Sequence, residues 1–297
     1  MQTGQRTWMA RAAWMLLGVA CLTPRVAQSE EKTAGTDPKK SASATRGPKA
    51  APPSAPANVT AIAEKLRSGP SDVRAGLTEA KAAGKSARSV APAVEELLRA
   101  GTNLELTGLA LSTLAEIGDE ANAAAILPYA RHRVPELRKA ALSALTRLRG
   151  AQARAALREA LSDSDAGVRG VAAGGLGALK ATEATADLFV ALDHNVPEAA
   201  SSLGLICTAE PCEKLVAKLG TLRFDVIVTG LDAILARPAG EVSDEFKIRL
   251  VERVRDLRSE PARNYLRDLQ ARWHMDGSRR VKQAIDQALI ASSGSPP

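Results

Sequence analysis

Between Asn103 and Asn195 the chain repeats itself every 31 residues, and that period constrains its fold more than any other feature. Six columns of equivalent residues carry it. Leu106, Leu137 and Val168 form the first, and Ala110, Ala141 and Ala172 the second. Leu114, Leu145 and Leu176 make the third, followed by Ile117, Leu148 and Leu179. Ile126, Leu157 and Leu188 are the fifth column; Ala130, Leu161 and Leu192 are the sixth. A period of this length marks a repeat array in which each unit is one supersecondary element.

Within a unit the first four columns are spaced by 4, 4 and 3 residues, one face of an α-helix. The last two continue on a second helix after a short polar break at Gly118-Asp119, Gly150 or Ala181-Thr182. Pro135 and Pro197 suit a first helical turn, where the missing N–H costs nothing, and Ser162, Asp163 and Asp165 are N-cap candidates. Each unit therefore reads as a helical hairpin. The phase decays outward but persists: Val196-Pro197-Glu198 follows Val134-Pro135-Glu136 by two periods, and further pairs are readable from Asp72 to Leu98 and from Asp225 to Ile290. About seven hairpins result, with atypical outer ones serving as caps. Aromatic residues are only 3% of the chain against 45% apolar overall, so the core must be built from Ala, Leu and Val, which disfavours a β-sandwich or barrel.

Val168-Arg169-Gly170-Val171-Ala172-Ala173, with the near copy Leu137-Arg138-Lys139-Ala140-Ala141-Leu142, follows an acidic turn at Asp163 and Asp165. This pattern resembles the HEAT repeat family, in particular the short repeats related to phycobilin lyases. The resemblance covers residues 59–292 and is strongest from Asn103 to Asn195. It implies an all-α fold, a right-handed α-α superhelix whose second helices line a concave face and whose usual work is protein binding. It implies no particular enzyme activity.

The first 28 residues read as a secretory signal: Arg6 and Arg11 precede an apolar run from Ala12 to Leu22 that Pro24 and Arg25 end, too short for a membrane span. Gly18-Val19-Ala20-Cys21 resembles the lipobox of bacterial lipoproteins, departing from it at Gly18, where that family usually carries Leu. Cys21 is thereby a candidate for lipidation, with cleavage after Ala20 or Ala27 as the alternative. Residues 29–58 are a polar linker rich in Pro, Ala, Lys and Ser, and residues 293–297 a disordered tail. The formal charge of +7 divides into +3 on the signal, +2 on the linker and +2 on everything after Asn58. A nearly neutral folded part gives nucleic acid little to bind.

Two cysteines lie in the repeat region. Cys207 falls in the 114/145/176 column and Cys212 follows across Thr208-Ala209-Glu210-Pro211, a spacing that suits a disulfide in an oxidising envelope compartment. His132, His194 and His274 stand at no metal-ligand spacing, and no nucleophile elbow, zincin motif or phosphate loop occurs. Arg131–Arg158 holds eight basic residues against Glu136 and Glu159, and Arg131, Arg133, Arg154 and Arg158, with Lys214 and Lys218 two hairpins on, outline a candidate basic stripe for an acidic protein, a phosphorylated ligand or an anionic envelope polymer. Read together, these features favour a non-enzymatic protein-binding scaffold in the periplasm or cell envelope, with no catalytic residues, metal or cofactor. Membrane contact would come only through a lipid anchor. The alternatives are a bilin lyase-like or other enzyme-associated role and a purely structural tethered spacer.

Overall fold

The computed structural model describes residues 58–273 and 277–293. Asn58 opens them by accepting a hydrogen bond from the Ala61 amide (3.1 Å) at the head of α1 (Val59–Lys65). The hairpins follow. Their first helices are α2 (Pro70–Ala83), α4 (Leu104–Ile117), α6 (Pro135–Leu148), α8 (Ala166–Ala178), α10 (Pro197–Ile206), α12 (Phe224–Ala236) and α14 (Glu260–Arg272). Their second helices are α3 (Ala91–Ala100), α5 (Ala123–Ile126), α7 (Gly150–Ala160), α9 (Thr185–Asp193), α11 (Ala209–Ala217), α13 (Asp244–Asp256) and α15 (Arg279–Ser293). Successive first helices from α2 to α12 pack on one another, and α13 packs on α15, so the stack is continuous from hairpin to hairpin. Among the described residues no helix is long and apolar enough to cross a membrane.

Helix starts follow the period too. Asn103 and Asp165, two periods apart, each accept the amide three residues on, Leu106 or Val168, at 2.9 Å. The equivalent positions between and after them hold Val134 and Val196, each followed by Pro at the first helical turn. Side-chain capping and proline thus alternate along one column: the cap satisfies the third amide of its helix, and proline removes the first.

The apolar columns form the core as expected. Leu114, Leu145 and Leu176 are fully buried, Cys207 continues their column, and Ala110, Ala141 and Ala172 are also inaccessible. Only Leu179 and Ala130 of the six columns remain half-buried. Each fully buried Leu contributes about 1.5–3 kcal/mol of apolar transfer, which a lone hairpin cannot realise because its outer stripe faces water.

Small residues set how closely first helices approach. A Cβ on Gly230 would lie 2.6 Å from the Ala200 carbonyl oxygen, and one on Gly175 would lie 2.6 Å from Thr146 Oγ1. Gly204 and Gly177 are equally tight, against the Gly230 backbone and Ser202 respectively. The glycines at positions 175 and 177 therefore serve packing, whereas Gly174 faces open space. At the last hairpins an aromatic contact takes over: Phe224 meets Tyr265 edge-on at 5.6 Å, and the Tyr265 hydroxyl donates to Asp232 (2.8 Å). Burial and that carboxylate raise the Tyr265 phenol well above its usual pKa.

Gly230→Val should overpack the α10–α12 contact and cost about 3 kcal/mol. Gly174→Ala, with room for its methyl, should stabilise by about 1 kcal/mol. Urea denaturation of the two variants would check both signs.

Candidate functional site

Depressions gather on the side of the stack carried by the second helices, and three of them meet at one exposed residue, Pro128. Proline lacks an N–H and cannot continue α5, so the second element of its hairpin tightens into a 3-10 stretch over Leu127–Arg131. Where the next hairpins have the regular helices α7 and α9, this one is short and irregular, and space opens on either side of it.

The largest of these three, about 790 Å³, lies between α5 and α7; Ala124, Leu127, Pro128, Ala155 and Ala156 line it with small apolar groups. A second, about 480 Å³, lies between α3 and α5, and a third, about 590 Å³, runs over Pro128 and Tyr129 to Leu104 and Arg133. Tyr129 anchors the floor: its hydroxyl donates to the Leu98 carbonyl (2.6 Å), 31 residues back. Burial raises the Tyr129 pKa, and the ring stacks on His132 at 6.1 Å. His132 Nδ1 accepts the Val134 amide (3.1 Å), so this histidine helps shape the loop. His194 is exposed, and His274 lies outside the described residues.

Arg138 and Asp163 lock the inter-hairpin edge of the trough. Arg138 Nε and Nη2 grip the two carboxylate oxygens at 2.8 and 2.7 Å, with the side chains only 12% and 13% exposed. Arg138 Nη1 also donates to the His132 carbonyl at 2.8 Å. One period on, Arg169 repeats the backbone half of this contact, donating to the Asp163 and Ser164 carbonyls at 2.8 and 3.0 Å. Burial works to raise the Asp163 pKa. The Arg138 hydrogen bond, the Asp165 amide and the charges of Arg138 and Arg169 outweigh it, and the carboxyl sits below its ordinary value.

Of the candidate basic stripe of Arg131, Arg133, Arg154, Arg158, Lys214 and Lys218, four cations are paired with acids of neighbouring hairpins. Arg131 is bidentate on Glu159 (2.8 and 2.5 Å). Arg154 pairs with Glu183 (2.9 Å), Arg158 with Asp187 (2.6 Å) and Lys218 with Asp193 (2.6 Å). Lys214 lies 4.7 Å over the Phe189 ring. Arg133 alone of the six has no side-chain partner among the described residues. The acids that neutralise the arginines lie 28 or 29 residues after them, on the next second element. That offset is just short of one period. Pairs this exposed contribute little to stability, about 0–1 kcal/mol each.

Cys207, just past α10, and Cys212, in α11, are disulfide-bonded, with Cα atoms 5.2 Å apart. Arg237 Nη1 donates to the Cys207 carbonyl (2.6 Å) and lies 3.9 and 4.0 Å from the two sulfurs, tying this turn to the next hairpin. Cys21 lies outside the described residues, as do the signal segment and the linker up to residue 57. Among the described residues no group of three His, Cys, Asp or Glu stands close enough to hold a metal.

Stacked helical hairpins at a fixed period, with open depressions along one side, define an α-solenoid. The family model for HEAT repeats matches residues 91–176 and 123–202, so this part of the chain carries HEAT repeats. A search of curated proteins finds no match. Among solved structures, a chain of a homology model of the full-length AP-3 complex shares the fold with a TM-score of 0.52 at 15% identity. The alignment covers 78% of this chain and half of that one. The complex of CpcE and CpcF of phycocyanin lyase from Nostoc aligns over 84% of this chain and 99% of that chain, at 17% identity and TM-score 0.44. An engineered protein aligns over 80% and 69%, at 19% identity and TM-score 0.43.

Two measurements probe this region. In thermal melts, Asp163→Asn should be less stable than the parent at neutral pH. Because a depressed carboxyl pKa stabilises above the ordinary value and is lost below it, the gap should close as pH falls through about 4. Replacing both Cys207 and Cys212 with Ala removes a short loop constraint and should cost about 2 kcal/mol in denaturant titrations under non-reducing conditions.

Proposed function

We propose that the protein is a non-enzymatic binding scaffold of the cell envelope, with the Pro128 trough as its docking surface for another protein. The trough itself carries the reading. Three depressions adjoin on one side of a rigid stack, lined by small apolar residues and rimmed by charged ones. A solenoid of this kind presents an extended binding face, and its function resides in that face. An apolar floor with a polar rim is the anatomy of a protein interface. The envelope assignment rests on the N-terminal sequence, where a positive head, an apolar run and a Pro/Lys-rich linker precede the stack. The paired cysteines support it, since such bonds persist in oxidising compartments. A linker of this composition would let the scaffold stand off from a surface, anchored through Cys21 where that residue is lipidated.

A photo-crosslinking amino acid at Ala155, exposed on the trough floor, should yield protein adducts in intact cells, and one at Ser143, exposed on α6, should not. The adducts should fractionate with the envelope. Mass spectrometry of the mature chain should place its N-terminus at Cys21 or just after Ala27. Absence of adducts at Ala155 would overturn the scaffold, and a mature chain that keeps residues 1–20 would overturn export.

A further inference from the structure

We infer that the Pro128 trough takes an extended acidic segment of its partner, in which carboxylates flank an apolar side chain; this rests on the scaffold reading above. The charges lining the trough are the reason. Its acids are already engaged: Glu159 by Arg131, Asp163 by Arg138, and Glu95 by the Asn122 side-chain amide at 2.7 Å. Two of its cations are not. Arg99, at the end of α3, and Arg133, in the loop before α6, are both exposed, and among the described residues neither guanidinium has a partner. Both line the same depression, so the trough carries unbalanced positive charge although the second-helix side as a whole is neutralised by its ion pairs.

Between the two arginines lies apolar surface. Leu104 is 52% exposed, one of few large apolar side chains so exposed among the described residues, and it shares this depression with Pro128 and Tyr129. Leaving a leucine and a proline in water beside two unpaired guanidiniums matches a ligand that brings an apolar group and carboxylates together. Guanidinium grips carboxylate in a two-pronged geometry that an ammonium cannot match, so arginine at both ends favours acidic side chains. The chain's own linker is excluded on the same ground. Residues 29–58 carry five basic residues against three acidic ones and would be repelled from the trough.

Panning the full-length mature protein against a phage-displayed random dodecapeptide library tests this. Enriched peptides should carry at least two Asp or Glu around an apolar residue. Fluorescence anisotropy of the best one should weaken about tenfold for Arg99→Glu or Arg133→Glu singly and further for the pair. Arg253→Glu, remote on α13, should leave the affinity unchanged. Circular dichroism melts of each variant would show that the stack persists. Arg99→Gln with Arg133→Gln supplies a milder loss should a reversal unfold the protein. Enrichment of basic or uncharged peptides, no enrichment, or affinity indifferent to both arginines would each overturn the inference. If crosslinks at Ala155 persist alongside such a result, the scaffold stands and only its acidic ligand falls; if they too are absent, the scaffold itself fails.

Discussion

No hairpin of this chain can keep both sides of its apolar stripe out of water, and the structure depends on that fact. Each first helix turns Ala and Leu toward the hairpin before it and the hairpin after it, and only stacking buries both. The same translation that stacks the hairpins also brings equivalent residues together. Arg74 meets Glu105, Arg147 meets Glu116, and Tyr129 meets the Leu98 carbonyl, each across 31 residues. A repeat in sequence thereby becomes a ladder of contacts in space. Where the repeat decays, other devices replace it: the Cys207–Cys212 bond with Arg237 at one turn, and Tyr265 with Asp232 at the last hairpins.

The ladder has an electrostatic consequence. Exposed ion pairs between second elements add little stability, but they cancel charge, so a surface rich in arginine is nearly neutral over most of its length. Positive potential then survives only where the pairing is interrupted. The Pro128 hairpin is such a place, because its second element is a short α-helix followed by 3-10 turns, and the end of α3 and the loop before α6 hold Arg99 and Arg133 without acids opposite. The backbone irregularity and the unpaired charge coincide there.

Much of this was legible in advance. The columns at 114/145/176 and 110/141/172 predicted which side chains are inaccessible, and Pro135, Pro197 and Asp165 marked helix starts correctly. A count of charges along one segment cannot show which acids of the next hairpin meet the basic stripe. Glu159, Glu183 and Asp187 lie about one period downstream, and only the stacking distance shows that they reach back to Arg131, Arg154 and Arg158. The Arg138–Asp163 clamp was hidden for a related reason: Ser162, Asp163 and Asp165 were all cap candidates, and only the structure separates the cap, Asp165, from the Arg138 partner, Asp163.

Sequence by itself determined the class of fold, the period, the residues of the core and the signal-like character of the first segment. These are consequences of local composition and spacing, since a helix face is set by residues three and four apart. Tertiary structure decided which charges are cancelled, which glycines must stay small and where the surface opens. Those properties depend on the distance and rotation between one hairpin and the next, which fix whether side chains a full period apart meet or miss.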